Sequence, residues 1–244
     1  AVAGAAEKRR FAGTLAELGI AHDLLEFALL DPEAGGYTLG ANRNALMLET
    51  LGEHVLYVDD DSLAQTARPP AWNEELAVVG LGTTQQYWFY PSYAAACGAA
   101  RFEMIDLLAA HEAYLGKACR DIISAHAGDV RIGADPWAAH LRDHGVVKVT
   151  QNGLVGDSCM FSNIGHLLHA RGAGRERLVG DPEVLALAMS SREIIRSPAS
   201  PTLRMGGLLI GPDWGCDHST PLPPYFPLYG SSDTSFSNLL SLTD

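Results

Sequence analysis

Residues Gly36–Ser62 read GYTLGANRNALMLETLGEHVLYVDDDS, and the reading of this stretch decides the fold. A glycine-bounded Asn42-Arg43-Asn44 opens a helical pattern that Gly52 stops, and the apolar run His54–Val58 then ends in three consecutive aspartates, Asp59, Asp60 and Asp61. Adjacent carboxylates raise one another's pKa unless a cation shares them. A strand ending in such a cluster therefore points to a hard divalent ion, and an ion held by one or two carboxylates keeps positions open for substrate phosphates.

Working outward, Leu24–Asp31 (LLEFALLD) is a continuous apolar run of strand length, Asn42–Leu51 is a short helix, and His54–Val58 is a second buried strand. Strand, helix and strand in this compass form a βαβ unit with parallel strands. In open α/β sheets ligands collect at the carboxyl ends of the strands, where Asp59–Asp61 lie. The amides and Arg43 at the helix start can face an anion. A carboxylate–metal site beside an anion-friendly turn suggests a diphosphate substrate.

On these residues the chain resembles the nucleotide-binding half of GT-A glycosyltransferases, in particular the inverting family 2 type. There a glycine-containing loop, an Ala-Arg-Asn-like helix start and an Asp-x-Asp strand end follow in the same order. The resemblance covers residues 8–62. It implies an α/β, GT-A-like, Rossmann-related fold with a mixed, mostly parallel sheet flanked by helices. It also implies Mn2+ or Mg2+ on Asp59 and Asp61, with Asn42, Arg43 and Asn44 beside the nucleotide; Asp31 at the end of the first strand and Asp60 are counted with that nucleotide-binding group. Family 2 enzymes carry a further strand before the helix Ala5–Leu18, which here is the first legible element and is closed by Gly19. The chain is accordingly expected to be a fragment lacking its first strand.

With 244 residues, 47% hydrophobic and 19% charged, the chain can bury a large core. We expect a single domain over 1–244, with residues 1–65 as the donor and metal half and 66–244 as the acceptor half. The net charge of −12, from 17 basic against 29 acidic residues, disfavours a nucleic-acid or anionic-membrane partner. No apolar run has the length of a membrane span, and the N-terminal segment has its charges in the wrong order for a signal peptide. The expected location is cytoplasmic. Cys97, Cys119, Cys159 and Cys216 are scattered without a CxxC pair and read as buried thiols. The close pair His166 and His169 has no neighbouring cysteine, so zinc is set aside.

Beyond Ser62, Leu76–Val79 reads as a strand, and Tyr87 and Phe89 are expected to face a core while Trp88 and Tyr90 cover the opposite side of a strand. Arg101–His126 carries the strongest helical stripe, which places His111 on an apolar face as a hydrogen-bonded core residue. A second helix is expected over Pro182–Arg196 after Asp181, and strands over Val146–Thr150 and Leu203–Ile210. Asp157 and Ser158, in a glycine-flanked loop, are candidates for holding hydroxyls. A serine hydrolase built on Ser158, with Asp213 or Asp217 and His218, fails the Gly-x-Ser-x-Gly pattern at Met160.

Near the C-terminal end, the proline-rich Pro221–Pro227 precedes a last short helix with Asp233 in its N-terminal region. Asp233 resembles the family 2 aspartate that deprotonates the acceptor hydroxyl, although Ser232 stands where a Glu precedes that Asp in the family. Asp217 is the alternative base, with His218 as a metal ligand or acid–base group. The resemblance implies a metal-dependent, inverting transfer of a sugar from a nucleotide-diphosphate sugar to an acceptor hydroxyl on a small molecule, glycan or peptide. The alternative is a non-catalytic sugar-nucleotide-binding module. A nucleotidyltransferase would need a glycine-rich basic loop that the N-terminal residues do not offer.

Overall fold

The first helix closes where the sequence sets its stop. In the computed structural model, which describes residues 4–30, 36, 38–80, 84–158, 164–206, 209, 213–227 and 232–242, α1 (Ala5–Glu17) ends with Gly19 at φ 94°. The Ile20 amide donates to the Leu15 carbonyl and the Gly19 amide to that of Ala16, a Schellman turn that needs the left-handed conformation glycine adopts freely. The chain continues into α2 (His22–Leu29) and α3 (Leu39–Glu49).

Helix α2 overturns the strand expected over Leu24–Asp31. A short apolar run fits a helix and a strand equally well by pattern, and Leu24–Leu30 holds no β-branched residue to favour the strand. Leu25 and Leu29, four apart, are buried, whereas Leu24 and Phe27 are exposed, which is the one-sided burial of a helix. Leu25 and Leu29 join Ala12 of α1 and Ala45 of α3 in one apolar cluster. Three packed helices thus replace the expected βαβ unit in this part of the chain.

The chain divides into two units. One takes Ala1–Val55, Leu208–Ile210 and Asp217–Asp244, and the other Leu56–Gly207 and Gly211–Cys216. The chain thus crosses between the units after residue 55 and again near residues 208–217. Strand β1 (His54–Tyr57) follows α3, and α11 (Ser232–Leu240) is the last helix of the first unit.

In chain order the second unit continues with β2 (Thr66–Arg68), β3 (Leu76–Val79), β4 (Gln85–Tyr90), α4 (Tyr93–Ala99), β5 (Arg101–Glu103), α5 (Leu107–Glu112) and α6 (Cys119–Ala125). Then come β6 (Val130–Ile132), α7 (Pro136–His144), β7 (Val149–Gln151), β8 (Leu154–Asp157), α8 (Ile164–His169), α9 (Gly172–Gly180) and α10 (Pro182–Ser190). Strands β9 (Glu193–Pro198), β10 (Thr202–Arg204) and β11 (Trp214–Asp217) complete the order.

The architecture is mixed α/β, built on four small sheets among the described residues, with orders β1-β11-β7, β10-β3-β6, β2-β5 and β4-β9-β8. Strand β3 pairs in parallel with both β10 and β6, while β4-β9-β8, β2-β5 and β11-β7 are antiparallel. The β10-β3-β6 sheet thus has, on a small scale, the parallel character expected of a larger one. Val78 of β3, Cys119 of α6 and Leu141 of α7 form the core beside that parallel sheet. Tyr87 and Phe89 of β4 alternate inward, as their pattern implies, and pack with Ala170, Leu178, Ala188 and Ile194.

Two long helices expected from periodicity are shorter. Over 101–126, β5 is drawn into an antiparallel pair with β2, where Arg68 and Arg101 both reach Glu103. Asp106 then caps a new helix through the Ala109 amide, and Gly116, at φ 73°, separates α5 from α6. The helix over 182–196 begins as expected, with Asp181 accepting from the Glu183 amide, and stops at Ser190. Ile194 and Ile195, β-branched and buried, belong to β9, the central strand of its sheet. Of the strand expected over Leu203–Ile210, only Leu203 and Arg204 fall in β10; Met205 and Gly206 lie beyond its end, and residues 207, 208 and 210 lie outside the described residues.

Candidate functional site

The Asn-Arg-Asn at the start of α3 meets the proline-rich segment, all within the first unit. Asn44 is buried and its amide is fully engaged: Oδ1 accepts from the Tyr225 amide at 2.7 Å, and Nδ2 donates to the Ala28 carbonyl at 2.9 Å and the Tyr225 carbonyl at 3.0 Å. Arg43 lies over the Tyr225 ring, 5.3 Å from its centre, and makes an ion pair with Asp233. Tyr225 stacks on Phe236 of α11 at 4.4 Å. Asn42 Oδ1 accepts from Lys8 Nζ, and burial lowers the Lys8 pKa. The structure therefore brings the Asn42-Arg43-Asn44 run, expected beside the nucleotide, together with Asp233, expected at the acceptor. Outside this group they meet Lys8, Ala28 and Tyr225, and Asn44 spends its capacity on backbone.

Asp217 and His218 lie at the end of β11, also in the first unit. Asp217 is 1% exposed; its Oδ1 accepts from the Ser219 amide at 2.9 Å and stands 3.6 Å from His54 Nε2. His218 is buried, with its amide donating to Glu53 and its carbonyl accepting from Gly52. The Thr50 hydroxyl donates to the Leu46 carbonyl, so in its 2.8 Å contact with His218 Nδ1 it is the acceptor and Nδ1 carries the proton. Burial lowers the His218 pKa, and the charge of Asp217 opposes that. Asp217 is thus a buried carboxylate committed to its own turn and to His54.

Asp59, Asp60 and Asp61 follow β1 in the second unit and are all exposed, with the Ser62 amide donating to the Asp59 carbonyl. Tyr57 stacks on Trp214 at 4.2 Å with the rings 15° apart, and Asp213 immediately precedes Trp214. Burial, and after it the charge of Asp59, push the Asp213 carboxyl above its ordinary value. Asp213 Oδ1 is buried with no hydrogen-bond partner among the described residues. Two carboxylates from distant parts of the chain are thus near enough for the charge of one to act on the other.

A polar chain continues from Asp213. Its carbonyl accepts from the Asn152 amide at 3.1 Å, the Asn152 side-chain amide lies 3.1 Å from His111 Nε2, and His111 Nδ1 lies 2.7 Å from the Thr150 hydroxyl. With Asn152 Nδ2 as the donor, Nε2 accepts and Nδ1 carries the proton. Burial lowers the His111 pKa, which keeps the ring neutral, and His111 is the hydrogen-bonded core residue its place on the stripe implied. Asp157, read as a loop candidate, is the last residue of β8 and holds Arg192 through both oxygens. Ser158 is buried and donates its amide to the Arg192 carbonyl.

Asp59 and Asp213 are the side chains here that could share a divalent ion, because hard cations take carboxylate oxygens and a buried carboxylate oxygen without a hydrogen bond is a group such an ion would satisfy. Among the described residues no group of three or more histidine, cysteine, aspartate or glutamate side chains is placed to hold a metal. An ion here would complete its shell with water and substrate oxygens. Asp31, Cys159 and the side chains of His166 and His169 lie outside the described residues; Cys119 and Cys216 are buried and Cys97 half-buried, all free thiols. The sequence did not group Asp213 with Asp59 because nothing in the local sequence ties the two together; the stacking of Tyr57 on Trp214 does so only in three dimensions.

No helix among the described residues is long and apolar enough to cross a membrane. No family model matches the chain, and no curated protein or solved structure matches it.

Proposed function

We propose that the chain is a glycosyltransferase of GT-A type that binds a nucleotide-diphosphate sugar through Mn2+ or Mg2+ and transfers the sugar to an acceptor hydroxyl with inversion. The observation that carries this reading is the approach of Asp213 to Asp59 at the strand-end aspartate cluster. Asp59 and Asp61, with Asp213 as an added ligand, would hold the ion, which when bound neutralises the diphosphate leaving group. The pairing supports the reading because it supplies the divalent-ion chemistry that the resemblance of residues 8–62 calls for. The roles that the resemblance gives to Arg43, a guanidinium suited to a phosphate, and to Asp233, the general base for the acceptor proton, rest on that resemblance alone, since both residues belong to the other unit.

A second reading, a sugar-nucleotide-binding module without transfer, is favoured by one observation: the carboxylate of Asp233 is engaged by Arg43, and that of Asp217 is buried. Thermal shift with a panel of sugar nucleotides, with and without Mn2+, tests the donor site shared by both readings, since a ligand that binds only the native state raises the melting temperature. A Mn2+-dependent rise is expected for at least one donor, and its loss in Asp59→Asn and in Asp61→Ala. No rise with any donor would end both readings. Release of free nucleoside diphosphate on adding acceptors separates the enzyme from the module.

A further inference from the structure

Helix α7 presents a pair of metal-binding side chains outside the site described above. Asp135 caps its start, accepting from the Ala138 amide at 3.0 Å, and Pro136 occupies its first turn. Ala138 and Leu141 are buried on one side, Leu141 within the core beside the parallel sheet. The helix is thereby anchored, and His140 and His144, one turn apart, are both exposed. Their ring centres are 5.1 Å apart and their planes 42° from one another.

That separation is what a shared ion requires. A metal about 2.0–2.1 Å from an imidazole nitrogen lies roughly 3.2 Å from the ring centre, so two imidazoles in tetrahedral positions have centres about 5.2 Å apart. Histidines at i and i+4 on one helical face are the spacing by which helices present two imidazoles to zinc. The neighbouring charges are an offsetting pair: Arg142 holds the Asp143 carboxyl below its ordinary value, with Nε and Nη2 at 2.6 and 2.7 Å from its two oxygens.

We propose that His140 and His144 form an exposed two-imidazole chelate for a borderline divalent transition ion, Zn2+, Ni2+ or Cu2+, with the remaining coordination positions open to water or to an external ligand. Imidazole selects these ions, whereas the carboxylates of Asp59 and Asp213 suit Mn2+ and Mg2+. The two sites therefore differ in ligand chemistry, and this inference does not rest on the proposed transferase reading.

Calorimetric titration of tag-free protein with Ni2+ tests it, comparing the parent with His140→Gln, His144→Gln, the double variant and His166→Gln. One Ni2+ is expected to bind the parent. Either single change to the pair should weaken binding by about tenfold or more, since losing one ligand removes the effective concentration it supplies. The double variant should show only background, and His166→Gln should match the parent. Mn2+ should bind the His140–His144 pair far more weakly than Ni2+. Both positions are exposed, and circular dichroism of the variants verifies folding. Unchanged Ni2+ affinity in the folded double variant, sensitivity to one histidine alone, or binding that follows His166 would each overturn the chelate.

Discussion

Replacing Asn44 by alanine tests whether the Asn-Arg-Asn at the start of α3 builds the fold or waits for a nucleotide. The substitution removes three hydrogen bonds at once, to the Tyr225 amide, the Tyr225 carbonyl and the Ala28 carbonyl. Asn44 and Tyr225 are both buried, so water does not readily replace the lost partner. A stranded buried donor costs about 1–3 kcal/mol, and the carbonyls, which keep a second lone pair, add roughly 1 kcal/mol together. Alanine returns about half a kcal/mol through its better helix propensity. The expected net loss is on the order of 2–3 kcal/mol. Urea unfolding followed by circular dichroism should show a lower midpoint with the slope retained, and hydrogen exchange should show the Tyr225 amide losing its protection. A loss under about 0.5 kcal/mol with Tyr225 still protected would refute the reasoning, and weaker Mn2+-dependent donor binding at unchanged stability would return Asn44 to the nucleotide.

Gly40→Ala should destabilise the same unit by about 1–3 kcal/mol, the usual cost of overpacking, because a Cβ there would fall 2.0 Å from the Phe226 carbonyl oxygen; an unchanged melting temperature would mean the two segments do not pack this closely. Burial holds the folded pKa of His111 below the ordinary imidazole value, so its stabilising contribution is full above that ordinary value and is lost as pH falls through the folded pKa; stability should decline from pH 7 toward pH 5, and His111→Gln should flatten the decline in urea melts. Asp213→Asn should raise stability at neutral pH in EDTA, since the ionised carboxylate is disfavoured there by burial and Asp59, and should abolish the Mn2+-dependent donor shift; a shift that persists would remove Asp213 from the metal site. Asp233→Asn should leave donor affinity near that of the parent and lower transfer by about 10²–10⁴-fold, as loss of a positioned base does; full activity in it, with collapse in Asp217→Asn, would move the base to Asp217.

Local signals were read correctly where one short segment settles its own conformation. Gly19 closes α1, Asp181 and Pro182 open α10, and the alternation of Tyr87 and Phe89 sets the faces of β4. The reading failed where two outcomes share a pattern. LLEFALL satisfies a helix and a strand alike, and packing of Leu25 and Leu29 against Ala12 and Ala45 decided for the helix. The stripe over 101–126 survives in His111, Leu115 and Ile122, which are buried, while Met104 is fully exposed because residues 101–103 pair with β2. At the candidate site the aspartates after β1 were legible from one strand end. Asp213 and the chain through Asn152 to His111 were not, since each residue comes from a different element and only tertiary pairing brings them into line.

The interrupted path of the first unit has a consequence for how the protein is made. Its opening helices emerge from the ribosome with Asn44 in place but without Tyr225, the partner for two of the side chain's three hydrogen bonds. The residues from 56 to 216 must be synthesised first, roughly 8–30 s of translation at ordinary elongation rates. During that interval the second unit can complete its sheets, apart from strand portions assigned to the first. Phe27 of α2 and Gly40 and Asn44 of α3 meanwhile wait for the segment that carries Tyr225 and Phe226, which is not yet translated. Chaperone demand should therefore fall on the nascent N-terminal helices, and a pause in translation after residue 216 would leave them exposed longest.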